Sequence, residues 1–112
     1  MHIDTDNLDM LKDIIGDDLI EVLNVFLEST PDSIVQLQAA IATSTMPKIQ
    51  SVAHAIKGSA ANVGANQLSH LASQIEQQAK ANDSSQFKEL FAQLTTENTV
   101  VEAALTKYIA SF

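Results

Sequence analysis

Apolar residues recur along this chain every three or four positions, and alternation of the β type is absent. Leu8, Leu11 and Ile14/Ile15 mark a short first helix from Asp6 that closes one end of a core and stops at Gly16. Asp17 or Asp18 is placed to cap a longer segment running towards Thr43. Its stripe is Leu19, Val22, Leu23, Phe26, Thr30, Ile34, Leu37 and Ile41. The stripe keeps phase across Pro31, which predicts one kinked helix, although Thr30-Pro31-Asp32 would also serve as the cap and first turn of a new one. Val25 and Val35 fall off the stripe, as exposed apolar positions.

Thr43-Ser44-Thr45-Met46-Pro47 reads as a turn into a third helix, with Ser44 or Thr45 as cap and proline in the first turn. That helix is predicted to reach about Val63, with Gly64 as its left-handed stop. Asn66 is placed to cap a fourth helix with the stripe Leu68, Leu71, Ala72, Ile75 and Ala79. After the turn Ala81–Ser85, a last helix uses Phe87, Leu90, Phe91, Leu94, Val101, Leu105, Tyr108 and Ile109. Asn98 shares that stripe and needs a hydrogen-bond partner if buried. Short connections between such helices predict an all-α fold. It is an antiparallel up-and-down four-helix bundle with a short extra N-terminal helix, one domain over residues 1–112.

Composition narrows the function. The formal net charge of -8 opposes binding to nucleic-acid phosphates, and 4% aromatic residues leave no base-stacking platform. The acids crowd the first third, where Asp4 to Asp32 are opposed only by Lys12, and suit a solvated face. No cysteine is available for a disulfide or a thiolate metal site. Neither a basic-then-apolar leader nor a membrane-length apolar run occurs, so a cytoplasmic protein without membrane association is expected.

One stretch departs from ordinary amphipathic helix: Ala53-His54-Ala55-Ile56-Lys57-Gly58-Ser59-Ala60-Ala61-Asn62-Val63-Gly64-Ala65. At about 100° per residue, Ile49, Val52, Ala53, Ile56, Ala60 and Val63 share an arc of roughly 100° that faces the core. His54 falls about 160° from the arc's centre, so it faces outward. Gln50, Lys57, Gly58 and Ala61 lie beside it, with Pro47 one turn further down. A mid-helix glycine costs about 0.5–1 kcal/mol relative to alanine. At Gly58 it removes a side chain that would lean over the imidazole. A surface histidine alone is usually only solvated. An accessible imidazole, a cleared surface and the Lys57 ammonium together suit a group that becomes an anion, such as a phosphoryl group.

The pattern His54-x-x-Lys57-Gly58-Ser59-Ala60-x-x-x-Gly64-Ala65 resembles the signature of histidine-containing phosphotransfer domains of bacterial phosphorelays. Leu68-x-x-Leu71-Ala72-x-x-Ile75-Glu76 is similar to the family's next helix. The motif covers about residues 53 to 80, and helix order and lengths extend the likeness over nearly the whole chain. The resemblance implies that His54 takes a phosphoryl group from the phospho-aspartate of one receiver domain and passes it to the aspartate of another. It implies that Lys57 offsets phosphoryl charge and that Gly58 gives access. Glu76 matches a Gln or Glu position that bonds the ring nitrogen not being phosphorylated, which would fix the tautomer. Lys80 matches a position often basic in the family; its structural alternative is a surface pair with Glu76 at i,i+4. The docking surface expected around His54 comprises Pro47, Gln50, Ala61 and Lys80, with Val25 from the neighbouring helix.

The implied partners are response-regulator receiver domains and a hybrid sensor histidine kinase. With three glycines, no phosphate-binding loop can be assembled. The expectation is a carrier without its own ATP site or cofactor, with Mg²⁺ on the partner receiver. His54, His70 and Glu76 lack the His-x-x-x-His spacing of a helical metal site, and Lys57 would repel a cation, so no metal is expected. His70 reads as a solvated surface residue and His2 as part of a frayed terminus. A monomer is expected, since the stripes are used internally. A free-standing relay protein and an excised domain of a hybrid kinase would look alike in sequence. Other classes are a helical interaction module without chemistry, and an ATP-dependent histidine kinase fragment.

Overall fold

The computed structural model describes residues 2–112. Five helices follow in order: α1 Thr5–Ile15, α2 Asp18–Ala42, α3 Met46–Asn62, α4 Asn66–Lys80 and α5 Phe87–Ala110. Helices α2 to α5 form the antiparallel bundle, with α3 packed between α2 and α4, and α5 closing the ring against α4 and α2. The short α1 lies against α2. The resulting rod measures 42 × 22 × 20 Å, its length set by the 25-residue α2.

Each stripe finds the core for the reason its spacing suggests. Leu19, Leu23, Phe26 and Leu37 of α2 are buried against Ile49, Val52, Ile56 and Ala60 of α3, Leu68 and Ile75 of α4, and Leu94, Val101 and Leu105 of α5. Helix α2 runs through Pro31 unbroken, as the continuous phase predicts. The cost of the missing backbone N–H is borne inside a helix anchored by buried Phe26, Thr30 and Leu37 on either side.

Several local expectations need correction. Val22 is 42% exposed and so leaves the α2 stripe, because α2 turns that position towards a surface cleft beside α3. In α1 only Leu8 is fully buried, and Ile14 is 71% exposed, so the helix covers the core with its first turns alone. Asp17 stands at the α2 N-cap position with helical dihedrals and no side-chain cap bond. Thr45 precedes α3, but its hydroxyl bonds Thr43 Oγ1 at 2.7 Å rather than the helix N-terminus. Asn66 is the first residue of α4, and Ala65 holds the cap position. Buried Asn98 donates to Glu102 Oε1 at 3.2 Å while its Oδ1 has no partner.

Gly64 joins the α3–α4 turn to the N-terminal segment. Its φ of +75° lies in the left-handed region, and its carbonyl accepts a 2.8 Å bond from Asp4 N–H. A Cβ there would lie 3.2 Å from Asp4 N, O and Cβ. Gly64→Ala is therefore expected to destabilise the protein by about 1–3 kcal/mol, through left-handed strain and displacement of Asp4. Chemical denaturation should show a lower midpoint with an unchanged slope.

The opposite end of α1 is tied to α5. Tyr108 Oη donates to Asp9 Oδ1 at 2.7 Å, and burial followed by that acceptor pushes the phenol pKa up to about 12. Lys12 Nζ sits 4.2 Å over the Phe112 ring, a cation–π contact at the same junction.

Candidate phosphotransfer site

The third helix positions the imidazole as the angular reading requires. Ile49, Val52, Ala53, Ile56 and Ala60 are all buried and hold α3 down, which rolls His54 outward with its side chain 67% exposed. Gly58 has no atom within 4 Å of the point a Cβ would occupy, so open surface lies one turn above the ring. Ala61, Pro47 and Gly58 are exposed and Gln50 is half-buried.

The fourth helix supplies the counter-charge. Glu76 lies on the α4 face that also carries Leu68, Leu71, Ala72, Ile75 and Ala79, and it is only 2% exposed. A carboxylate buried to that degree needs partners. One oxygen, Oε2, lies 2.7 Å from His54 Nδ1, and the other, Oε1, accepts from Lys57 Nζ at 2.7 Å. Lys80 Nζ approaches Oε2 at 4.0 Å, the i,i+4 pairing foreseen as its structural alternative. The Lys57 hydrogen bond is the largest influence on the Glu76 carboxyl and outweighs burial. With a smaller contribution from His54, it holds the pKa below its ordinary value of 4.5. The carboxylate is thus ionised at neutral pH.

An ionised carboxylate only accepts hydrogen bonds, so Nδ1 carries a proton, and in the neutral imidazole the lone pair is then on Nε2. Pro47, Gln50, Ser51, His54, Glu76 and Lys80 line one open depression. Ser51, three residues before His54, was absent from the sequence candidates although helical spacing puts it on this face. Ser69 was missed too: its hydroxyl donates to the Lys57 carbonyl at 2.9 Å and ties α4 to α3 beside the site. That contact joins two helices and has no local sequence signal. Val25 does not share the depression. It lies 57% exposed along a separate cleft between α2 and α3, with Val22, Ser29, Ser59 and Asn62.

A family model described as "Hpt domain" matches residues 21–104, which spans helices α2 to α5 and all of this site. The chain belongs to the Hpt domain family. Hpt domains are phosphotransfer carriers that work with receiver domains and hybrid kinases, and this chain has a histidine phosphotransfer role in phosphorelays. The fold is similar to histidine-containing phosphotransfer protein B from Pseudomonas aeruginosa PAO1. The TM-score is 0.94 at 22% identity, with 99% of this chain and 96% of that chain covered. It is also similar to the HPT domain of a sensor hybrid histidine kinase from Shewanella, at a TM-score of 0.84, 20% identity and the same coverage. Among curated protein sequences no significant match is found.

His70 is exposed on α4 and does not line this depression. Among the described residues, no group of three or more potential ligands is placed to hold a metal ion, and no helix is long and apolar enough to cross a membrane.

Proposed function

We propose that His54 is the phosphoryl acceptor of this Hpt domain. It takes the group from the phospho-aspartate of one receiver domain and delivers it to the aspartate of another. The observation that carries this reading is the buried, ionised Glu76 bonded to His54 Nδ1, which leaves Nε2 as the exposed nucleophile. In the forward step the Nε2 lone pair forms the N–P bond. The P–O bond to the aspartyl oxygen breaks, and that oxygen departs with its electron pair as carboxylate. The ring proton stays on Nδ1, and Glu76 offsets the positive charge that develops on the imidazole. Lys57, half-buried, one turn away and bonded to the other Glu76 oxygen, is the cation assigned to offset the charge of the new phosphoryl oxygens. Because the transfer is reversible by the same geometry, the direction of flow follows the relative stability of the two phospho-aspartates. The divalent cation and in-line positioning belong to the receiver.

Incubation with ATP and Mg²⁺ alone should leave the chain unlabelled, while a phosphorylated receiver should give a label that is acid-labile and base-stable. Labelling by ATP alone, or an acid-stable label, would overturn the proposal in favour of a kinase fragment or another nucleophile. A chain that binds receivers but never takes a label would be the interaction module without chemistry.

The docking surface is proposed to run from Pro47 and Gln50 over Gly58 and Ala61, with Lys80 at its rim and Val25 reached across the α2–α3 cleft. Gly58 separates docking from stability. A methyl group enters open space, so Gly58→Ala should stabilise α3 by about 0.5–1 kcal/mol. Gly58→Leu should keep the fold yet lose roughly tenfold in transfer rate, about 1.4 kcal/mol of docked geometry. Unchanged transfer in Gly58→Leu would remove the glycine from the docking surface.

A further inference from the structure

The geometry at His54 occurs a second time in this molecule, at a residue expected to be frayed. His2 Nδ1 lies 2.7 Å from Glu97 Oε2 and 3.0 Å from Oε1. The Glu97 side chain is 11% exposed and the His2 ring 53% exposed, against 3% and 67% for Glu76 and His54. In both places a buried carboxylate on a bundle helix takes Nδ1, and Nε2 is left towards solvent. The segment carrying His2 is held in register on both sides of the backbone. Ile3 is buried in the core at 6% exposure, and Asp4 N–H is bonded to the Gly64 carbonyl. His2 is therefore a positioned imidazole and not a loose end.

The surroundings match the chemistry of anion transfer. The His2 ring borders a depression of about 440 Å³ between the N-terminal segment and the last turns of α5. Lys107 lines it together with Ala104 and Tyr108, so one basic residue borders the same space as His2. The Tyr108 hydroxyl is engaged with Asp9, outside the His2–Glu97 pair. The third histidine, His70, is exposed on α4 and makes no hydrogen bond to a carboxylate among the described residues.

We propose that His2 is a second phosphoryl acceptor, taking the group at Nε2 from an acyl phosphate. Glu97 acts as its positioning residue: it accepts from Nδ1–H, fixes the nucleophilic tautomer and balances the charge that appears on the ring. The N–P bond forms from the Nε2 lone pair. The P–O bond to the acyl oxygen breaks, and the carboxylate leaves with the electron pair. The Nδ1 proton is retained against Glu97, so no further reactant is needed. The acyl phosphate is either a small molecule or the phospho-aspartate of a receiver, and the chemistry at His2 is the same.

The full chain carrying His54→Gln tests this independently of the role assigned to His54. One arm uses acetyl phosphate, and the other a phosphorylated receiver that labels the unsubstituted chain. Phosphohistidine is located by mass spectrometry at neutral pH, with His70 as an internal control of equal chemistry and no carboxylate partner. Label at His2 should accumulate at least tenfold faster than at His70 in one arm or both, and the productive arm names the source. Adding His2→Gln should remove it, and adding Glu97→Leu, which takes away the Nδ1–H acceptor, should slow it at least tenfold. Imidazole ¹⁵N shifts in the otherwise unchanged chain should show His2 protonated at Nδ1 and unprotonated at Nε2, a readout that a merely structural ion pair in the imidazolium form would not give. Label at His2 in neither arm, or no faster than at His70, overturns the proposal. That ratio needs no change at Glu97, so it holds even where Glu97→Leu disturbs packing.

Discussion

His54→Gln is expected to abolish phosphoryl acceptance from a phosphorylated receiver at the main site, with the rate falling by roughly 10³-fold or more. Glutamine offers no nitrogen lone pair of comparable nucleophilicity, and no neighbouring side chain replaces it: Gln50, Ser51, Glu76, Lys80 and Pro47 are the other groups beside it in the depression. The fold should survive. The side chain is 67% exposed, and an amide can still donate to Glu76, so the change in stability should stay within about 1 kcal/mol. Circular dichroism should overlay the parent while the base-stable label acquired at the parental rate disappears. Receiver binding, measured without transfer, should change little, because the proposed docking surface lies on Gly58, Ala61 and Pro47. Persistence of that label on the variant at the parental rate would place the acceptor elsewhere.

Glu76→Leu should produce the second largest effect, on rate and stability together. Removing the carboxylate leaves the His54 Nδ1–H without its acceptor and the Lys57 ammonium without its 2.7 Å partner. Transfer should fall about 10- to 100-fold, the range typical when a group orienting a reactive histidine is lost. Stability should fall by about 1–3 kcal/mol, less than for a fully buried pair because the Lys57 side chain is 32% exposed and regains water. Glu76→Gln retains one acceptor oxygen for Nδ1–H and should recover most of the transfer rate. Comparison of the three proteins separates the hydrogen bond from the charge. The pH dependence has a definite sign. Because the folded state depresses the Glu76 pKa, its stabilisation is fully present above the ordinary value of 4.5. It is lost as pH falls through the lower folded value. Acid titration of unfolding should therefore be less steep for Glu76→Gln than for the parent in that window, with little difference near pH 7.

The candidate site was legible in sequence to an unusual extent, and the reason is geometric. His54, Lys57, Gly58 and Gln50 are on one helix, where spacing alone converts to direction. The same holds for Ile49, Val52, Ala53, Ile56, Ala60 and Val63, all of them buried as the arc predicts. Glu76 is different. Its periodicity places it beside Ile75 on α4, but nothing in a spacing says that α4 presents it to α3 at hydrogen-bond distance. Only the resemblance to the phosphotransfer family pointed there. Val25, assigned to the docking surface from its exposure, lies along another cleft, because an exposed position on α2 has no direction relative to α3 until the two helices pack.

Amphipathic spacing by itself determined the five helices and the outward direction of His54, because these follow from one helix at a time, and it favoured one helix across Pro31 while leaving a new start there open. Tertiary structure decided what distant parts of the chain do to one another. It turned Val22 out of the core and put Glu76 between His54 and Lys57. It also bound His2 to Glu97 across 95 positions of sequence. Helical period is a local property of backbone geometry, whereas a buried carboxylate acquires its partner only when the packing of separate helices brings one within reach.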